Sequence, residues 1–264
     1  MSTTINASLV KELRDQTGAG MMDCKRALEE TGGDIEAART LLREKGIAQA
    51  AKRAGRATSE GKVAIDINES SAAMVAVGCE TEPVSNNQEF LVYVQRVLDA
   101  VGKHGENGYE ELDDERVEVS AKLGENIAVV GAVRVEAEEG EILAGYVHPP
   151  ANKIGVLIHA RGNADVARQL AMHISFAAPR YATRVEVPEA EVRAEREILS
   201  KQPDVESKPE QVREKIVEGR LQKWFADLVL ADQPWIHDTG QTVGQALEEA
   251  GLELVDFRRF AIAE

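Results

Sequence analysis

Two carboxylates, Glu80 and Glu82, stand beside Pro83 in the stretch CETEPVSNN, residues 79–87. Residues two apart share a face on a strand, so the pair could serve as general acid and base or cradle a Mg²⁺ ion. No further acidic or histidine motif completes such a site. An exposed strand end, turned into a helix by Pro83, explains the pair more simply. The five histidines, His104, His148, His159, His173 and His237, are scattered without ligand spacing. His173 follows Met172 in a helical pattern and reads as a packing or interface residue rather than a metal ligand. There is no GxSxG elbow, HExxH pair or GxxxxGKS/T loop, and the glycines of GAGMMD precede a helix with no strand in front. The expectation is a protein that is not an enzyme and uses no cofactor and no bound metal.

Met21 and Met22 offer a different chemistry, that of contact. Neighbouring side chains diverge by about 100° on a helix, so one methionine can enter a core while the other faces solvent or a partner. Two partly buried methionines fit the pattern nearly as well.

The elements that must position these residues follow from periodicity. Three short helices are predicted over residues 6–46: Asn6 caps the first, TGAG at 17–20 breaks it, Asp34 caps the third, and Gly46 suits the left-handed position after it. Such a module is too small to enclose a substrate. The small, basic run IAQAAKRAGRATSEGK, residues 47–62, lacks aromatic side chains to stack on bases and reads as a solvated linker or linker helix. KVAIDI and AAMVAVGCE predict a β-hairpin, followed by a helix through NNQEFLVYVQRVLDAVGKHG capped by Ser85 or Asn86. A second strand–strand–helix pattern runs through EILAGYVHP, KIGVLIHA and NADVARQLAMHISFAA. Two charge-rich helical patterns then suggest an αα-hairpin, and TVGQALEEAG and LELVDFRRFAIA add a last helix and strand. The fold class is therefore α+β: an N-terminal three-helix module, then two strand–strand–helix core subdomains with an inserted helical hairpin. The expected domains are residues 1–48 (module), 49–61 (linker), 62–138 (core N-subdomain), 139–187 with 229–264 (core C-subdomain) and 188–228 (hairpin).

A formal charge of −15 over 264 residues disfavours nucleic acids and anionic membranes as partners. Two cysteines, Cys24 and Cys79, lie far apart, with no disulfide framework, and suit a reducing cytoplasm. The longest uncharged apolar stretch, IAVVGAV at 127–133, is far too short to span a bilayer, and the N-terminus carries no targeting pattern. A soluble, cytoplasmic protein is expected.

LVKELRDQTGAGMMDCKRAL, residues 9–28, resembles the N-terminal motif of the bacterial translation elongation factor Ts family. The likeness continues through GCETEPVSNNQEF, KIGVLIHARG, AMHISFAAP, KIVEGRLQKWFADLVLADQPW, TVGQAL and FRRF, in the same order. It implies a guanine-nucleotide exchange factor for the GTPase elongation factor Tu, which promotes GDP release and exchange for GTP. It also implies a ubiquitin-associated-like N-terminal module that packs on the partner's G domain. Position by position, Arg14, Met21, Met22 and Lys25 would meet that domain, and Met172 and His173 would lie near the partner's barrel domain. Thr81, Glu82, Pro83 and Val84 would form the intruding corner that dislocates Mg²⁺, and the helical hairpin could support a homodimer. The family commonly carries aspartate and phenylalanine where this chain has Glu82 and Pro83. An aromatic ring buries roughly 150 to 250 Å², and proline cannot supply that.

Overall fold

The computed structural model describes residues 5–263. Of these, residues 5–135, 147–155 and 260–263 form one compact unit, and Glu136–Tyr146 with Val156–Arg259 form a second.

The first unit begins with helices α1 (Ala7–Thr17), α2 (Met21–Glu30) and α3 (Ile35–Arg53). Asn6 caps α1 by accepting the Ser8 N–H at 3.0 Å, and Asp34 caps α3 by accepting that of Ala37 at 3.0 Å. Apolar residues at helical spacing, Val10, Leu13, Cys24, Ala27, Leu28 and Ala38, close a small core. Helix α3 does not stop at Gly46. It continues through Gly46 to Arg53, taking in part of the stretch read as a linker. A Cβ on Gly46 would lie 2.9 Å from the Ala121 Cβ, so this glycine permits a close helix contact rather than a left-handed cap.

Strands β1 (Glu60–Ile67) and β2 (Ser71–Cys79) pair antiparallel, with Glu60 opposite Cys79 and Ile67 opposite Ala72. A single turn of helix, α4 (Glu82–Ser85), leads into α5 (Gln88–His104). The cap of α5 is Asn87, whose side chain accepts the Glu89 N–H at 2.8 Å; neither Ser85 nor Asn86 takes that role. Helix α6 (Asp113–Leu123) and β3 (Ala128–Glu136) follow, giving the sheet order β1-β2-β3. Phe90, Tyr93, Val97 and Val101 of α5 are buried with Val75 and Val77 of β2. Each fully buried side chain of this size stabilises by about 1.5 to 3 kcal/mol.

In the second unit, β4 (Glu141–Val147) and β5 (Ile154–Arg161) precede α7 (Ala164–Ala177), which Asn163 caps. Helices α8 (Glu189–Ser200), α9 (Pro203–Glu206) and α10 (Glu210–Leu228) form the hairpin, with Leu199, Val205, Val217 and Leu221 as its own small core. A two-stranded ribbon of β6 (Pro234–Trp235) and β7 (Asp238–Thr242), α11 (Val243–Ala250) and β8 (Glu253–Ala261) complete the chain. The second sheet has the order β4-β5-β8. Ile158, Leu170, Ile174, Trp235 and Val243 lie in the core of this unit. The architecture is α+β, with a three-helix module, two strand–strand–helix subdomains and an inserted helical hairpin.

Candidate functional site

Glu80 and Glu82 do not share a strand face, because β2 ends at Cys79 and Glu82 opens α4. The Glu80 carboxylate is committed to the fold. Its Oε1 accepts the Asn126 N–H at 2.7 Å, and the Arg56 guanidinium donates to its two oxygens at 3.3 and 3.4 Å. Glu82, by contrast, is exposed. Among the described residues, no group of three or more His, Cys, Asp or Glu is arranged to hold a metal ion. With Glu80 committed to Asn126 and Arg56 and Glu82 on a separate element, the acid/base reading loses its geometry.

The same corner is held from across the unit. Glu125 Oε2 accepts the backbone N–H groups of both Glu80 and Thr81 at 3.0 Å each, and its Oε1 accepts the Thr81 hydroxyl at 2.6 Å. Thr81, Glu82 and Pro83 are exposed, while Val84 is half-buried against the core of β2 and α5. Pro83 sits in the first turn of α4, where its missing N–H costs nothing. Beneath the corner, burial and then the Glu125 charge push the Cys79 thiol up to about 12.

The basic run before β1 also turns inward. Arg53 donates to the Ser120 carbonyl at 3.3 Å, and Arg56 holds Glu80. The buried Lys62 ammonium donates to Asn86 Oδ1 at 3.0 Å and to the Ala151 carbonyl at 2.8 Å. The stretch read as a solvated linker or linker helix is thus helical as far as Arg53, and three of its basic side chains, Arg53, Arg56 and Lys62, bind within the fold.

On the module, Met21 and Met22 are both exposed, at 55% and 62%. Arg14 is exposed and makes no ion pair among the described residues, and Lys25 reaches Glu29 at 3.7 Å along the helix. A cleft of about 570 Å³ lies between the module and α6, lined by residues including Arg26, Glu30, Lys45 and Glu118. Its charges are largely paired, as between Lys45 and Glu30 at 2.7 Å.

On α7, Met172 is half-buried and His173 only 1% exposed. The His173 ring stacks on Trp235, with centroids 5.3 Å apart, and its Nε2 lies 2.9 Å from Gln233 Oε1. Burial lowers its pKa, against the Gln233 hydrogen bond, which raises it. His173 therefore offers no ring to the surface. Phe176, one turn beyond Met172 on the same face, is 83% exposed.

Residues 80–264 match the family model described as Elongation factor TS. The chain is also similar over its length to curated proteins named Elongation factor Ts. That of Thioalkalivibrio sulfidiphilus is 39% identical over 274 residues, covering 99% of this chain and 93% of the relative. That of Shewanella amazonensis is 40% identical, covering 98% and 91%. The relative from Rhodospirillum rubrum is 40% identical, covering 98% and 93%. The chain belongs to the elongation factor Ts family.

Arg14, Met21, Met22 and Lys25 lie on the module's surface, and Thr81, Glu82 and Pro83 at the clamped corner. Glu125, Asn126 and Arg56 were not legible as parts of that corner, since hydrogen bonds between distant loops leave no periodic trace in sequence. Phe176 carried one available signal: a phenylalanine four residues after Met172, hence on that residue's face of the helix.

Proposed function

We propose that this chain accelerates GDP release from the GTPase elongation factor Tu by protein contact alone, so that GTP can enter during protein synthesis. The observation that carries the reading is the corner Thr81–Val84, clamped on its inner side and presenting Thr81, Glu82 and Pro83 on its outer side. The corner Thr81–Val84 intrudes beside the partner's Mg²⁺ site and dislocates the ion, with Glu82 and Pro83 foremost and Val84 seated beneath them. Arg14, Met21, Met22 and Lys25 grip the partner's nucleotide-binding domain, where the flexible thioethers adapt to an apolar surface. Met172, with Phe176 beside it and His173 supporting it from within, meets the barrel domain.

The mechanism is linkage. If the factor weakens GDP binding, GDP weakens the factor's binding by the same ratio, so the factor must prefer the nucleotide-free partner. Contacts worth ~4 kcal/mol more in that state give about a thousandfold faster release. No bond is made or broken on this chain. Ribosomal protein synthesis places the protein in the cytoplasm, and its net charge of −15 argues against a direct nucleic-acid contact. The hairpin's exposed Ile198 and Val212 suit a second copy of the chain, a homodimer that Ile198→Glu would dissociate, as sedimentation would read.

Stopped-flow release of a fluorescent GDP from the cognate GTPase is the direct test. Acceleration that saturates with this protein supports the reading, and an unchanged rate at saturating protein sinks it.

A further inference from the structure

We infer that Glu125 is a positioning residue for exchange: its carboxylate sets the conformation of the Thr81–Val84 corner and so determines how fast the bound partner releases nucleotide. The inference rests on the exchange reading above and deepens it.

The clamp is reciprocal. Glu125 accepts the N–H groups of Glu80 and Thr81, while Glu80 accepts the N–H of Asn126, the residue after Glu125. Two chain segments 45 residues apart thus hold each other through both carboxylates. The Glu125 loop is itself fixed. Gly124 ends α6 at φ 76°, a conformation that favours glycine, and the Ser120 hydroxyl donates to the Glu125 carbonyl at 2.6 Å. Asn126 is buried, and its side-chain amide donates to the Arg56 carbonyl at 2.8 Å.

Thr81 supplies an independent observation. It occupies the cap position of α4, where a threonine hydroxyl ordinarily accepts a helix N–H. Here it makes no such cap and instead donates to Glu125 at 2.6 Å. The corner gives up local helix capping in favour of a long-range tie. Its function explains why: a short exposed element that must displace part of another protein loses less on docking when already ordered. Rigidity also offsets the small apolar area that Pro83 presents.

The test compares Glu125→Ala, Glu125→Gln and Thr81→Val in the full chain by stopped-flow GDP release. Glu125→Ala should lower the saturating release rate about tenfold, a loss of ~1.4 kcal/mol of differential contact. The half-saturation concentration should move less, because the module's contacts persist. Glutamine keeps an acceptor for both N–H groups, and its amide can donate to the Thr81 oxygen, so Glu125→Gln should recover most of the rate. Thr81→Val should fall between the two. Amide hydrogen exchange at Glu80 and Thr81 should quicken in the same order as the rates fall. Equal saturating rates in Glu125→Ala and wild type would overturn the inference while leaving the exchange reading intact. Equal losses in the alanine and glutamine variants would also overturn it, because the hydrogen-bond geometry would then not matter. If Glu125→Ala does not fold, the Thr81→Val rate and amide exchange still decide.

Discussion

His173 Nε2 lies 2.9 Å from Gln233 Oε1, and its Nδ1 accepts the Ile236 N–H at 3.4 Å, so a neutral imidazole with its proton on Nε2 ties α7 to the residues on either side of β6. Burial lowers its pKa below the ordinary 6.5. The unfolded chain therefore takes up the proton first as pH falls. The stability due to this group is complete above about pH 6.5 and declines as pH drops toward the lower folded value. Thermal unfolding followed from pH 7.5 to 5 should show a steeper loss in wild type than in the non-titrating His173→Gln variant. Parallel curves would show that His173 does not titrate between these states.

Met21→Ala with Met22→Ala should leave the fold nearly untouched, within about 0.5 kcal/mol, since both side chains are mainly exposed. The half-saturation concentration for GDP release should rise about tenfold, as expected when apolar anchors leave an interface. Melting and stopped-flow titration read the two effects separately. A lower melting temperature with unchanged half-saturation would assign the pair to the module's core instead.

Pro83→Phe should raise the saturating release rate. The position is exposed at the first turn of α4, so a ring there meets the partner without disturbing Val84 beneath. Losing proline costs about 0.4 to 1 kcal/mol through the greater freedom of the unfolded chain. A slower rate would mean that the partner's surface is shaped to this proline and its backbone.

Gly46→Val should destabilise by about 1 to 3 kcal/mol, because the new Cβ would stand 2.9 Å from the Ala121 Cβ in a tight helix contact. Ala121→Gly should restore part of the loss, and a double-mutant cycle by denaturant unfolding measures that coupling. Additive losses would place the strain elsewhere.

The α+β class, the two hairpin-plus-helix units and the caps Asn6 and Asp34 could be read from sequence because they depend on near neighbours, whereas α6, β3 and the β6–β7 ribbon were not read. The first turn of α2 was only half legible: helix geometry sends one of two adjacent methionines outward, but the structure exposes both. Gly46 misled because a glycine after an apolar stripe has the same local signature whether it ends a helix or admits another helix against it. Ala121, 75 residues away, decided between them.

By itself, the sequence determined most of the helices and strands, through periodicities of 3.6 and 2, and the family, through the order of its motifs. Tertiary structure alone decided what each polar group faces. It turned Glu80 from a candidate acid into a latch, covered His173 with Trp235, and set Glu125 behind Thr81. The physical reason is that hydrogen bonds and burial act over about 3 Å in space between residues tens of positions apart. Only the folded chain brings such residues within that range.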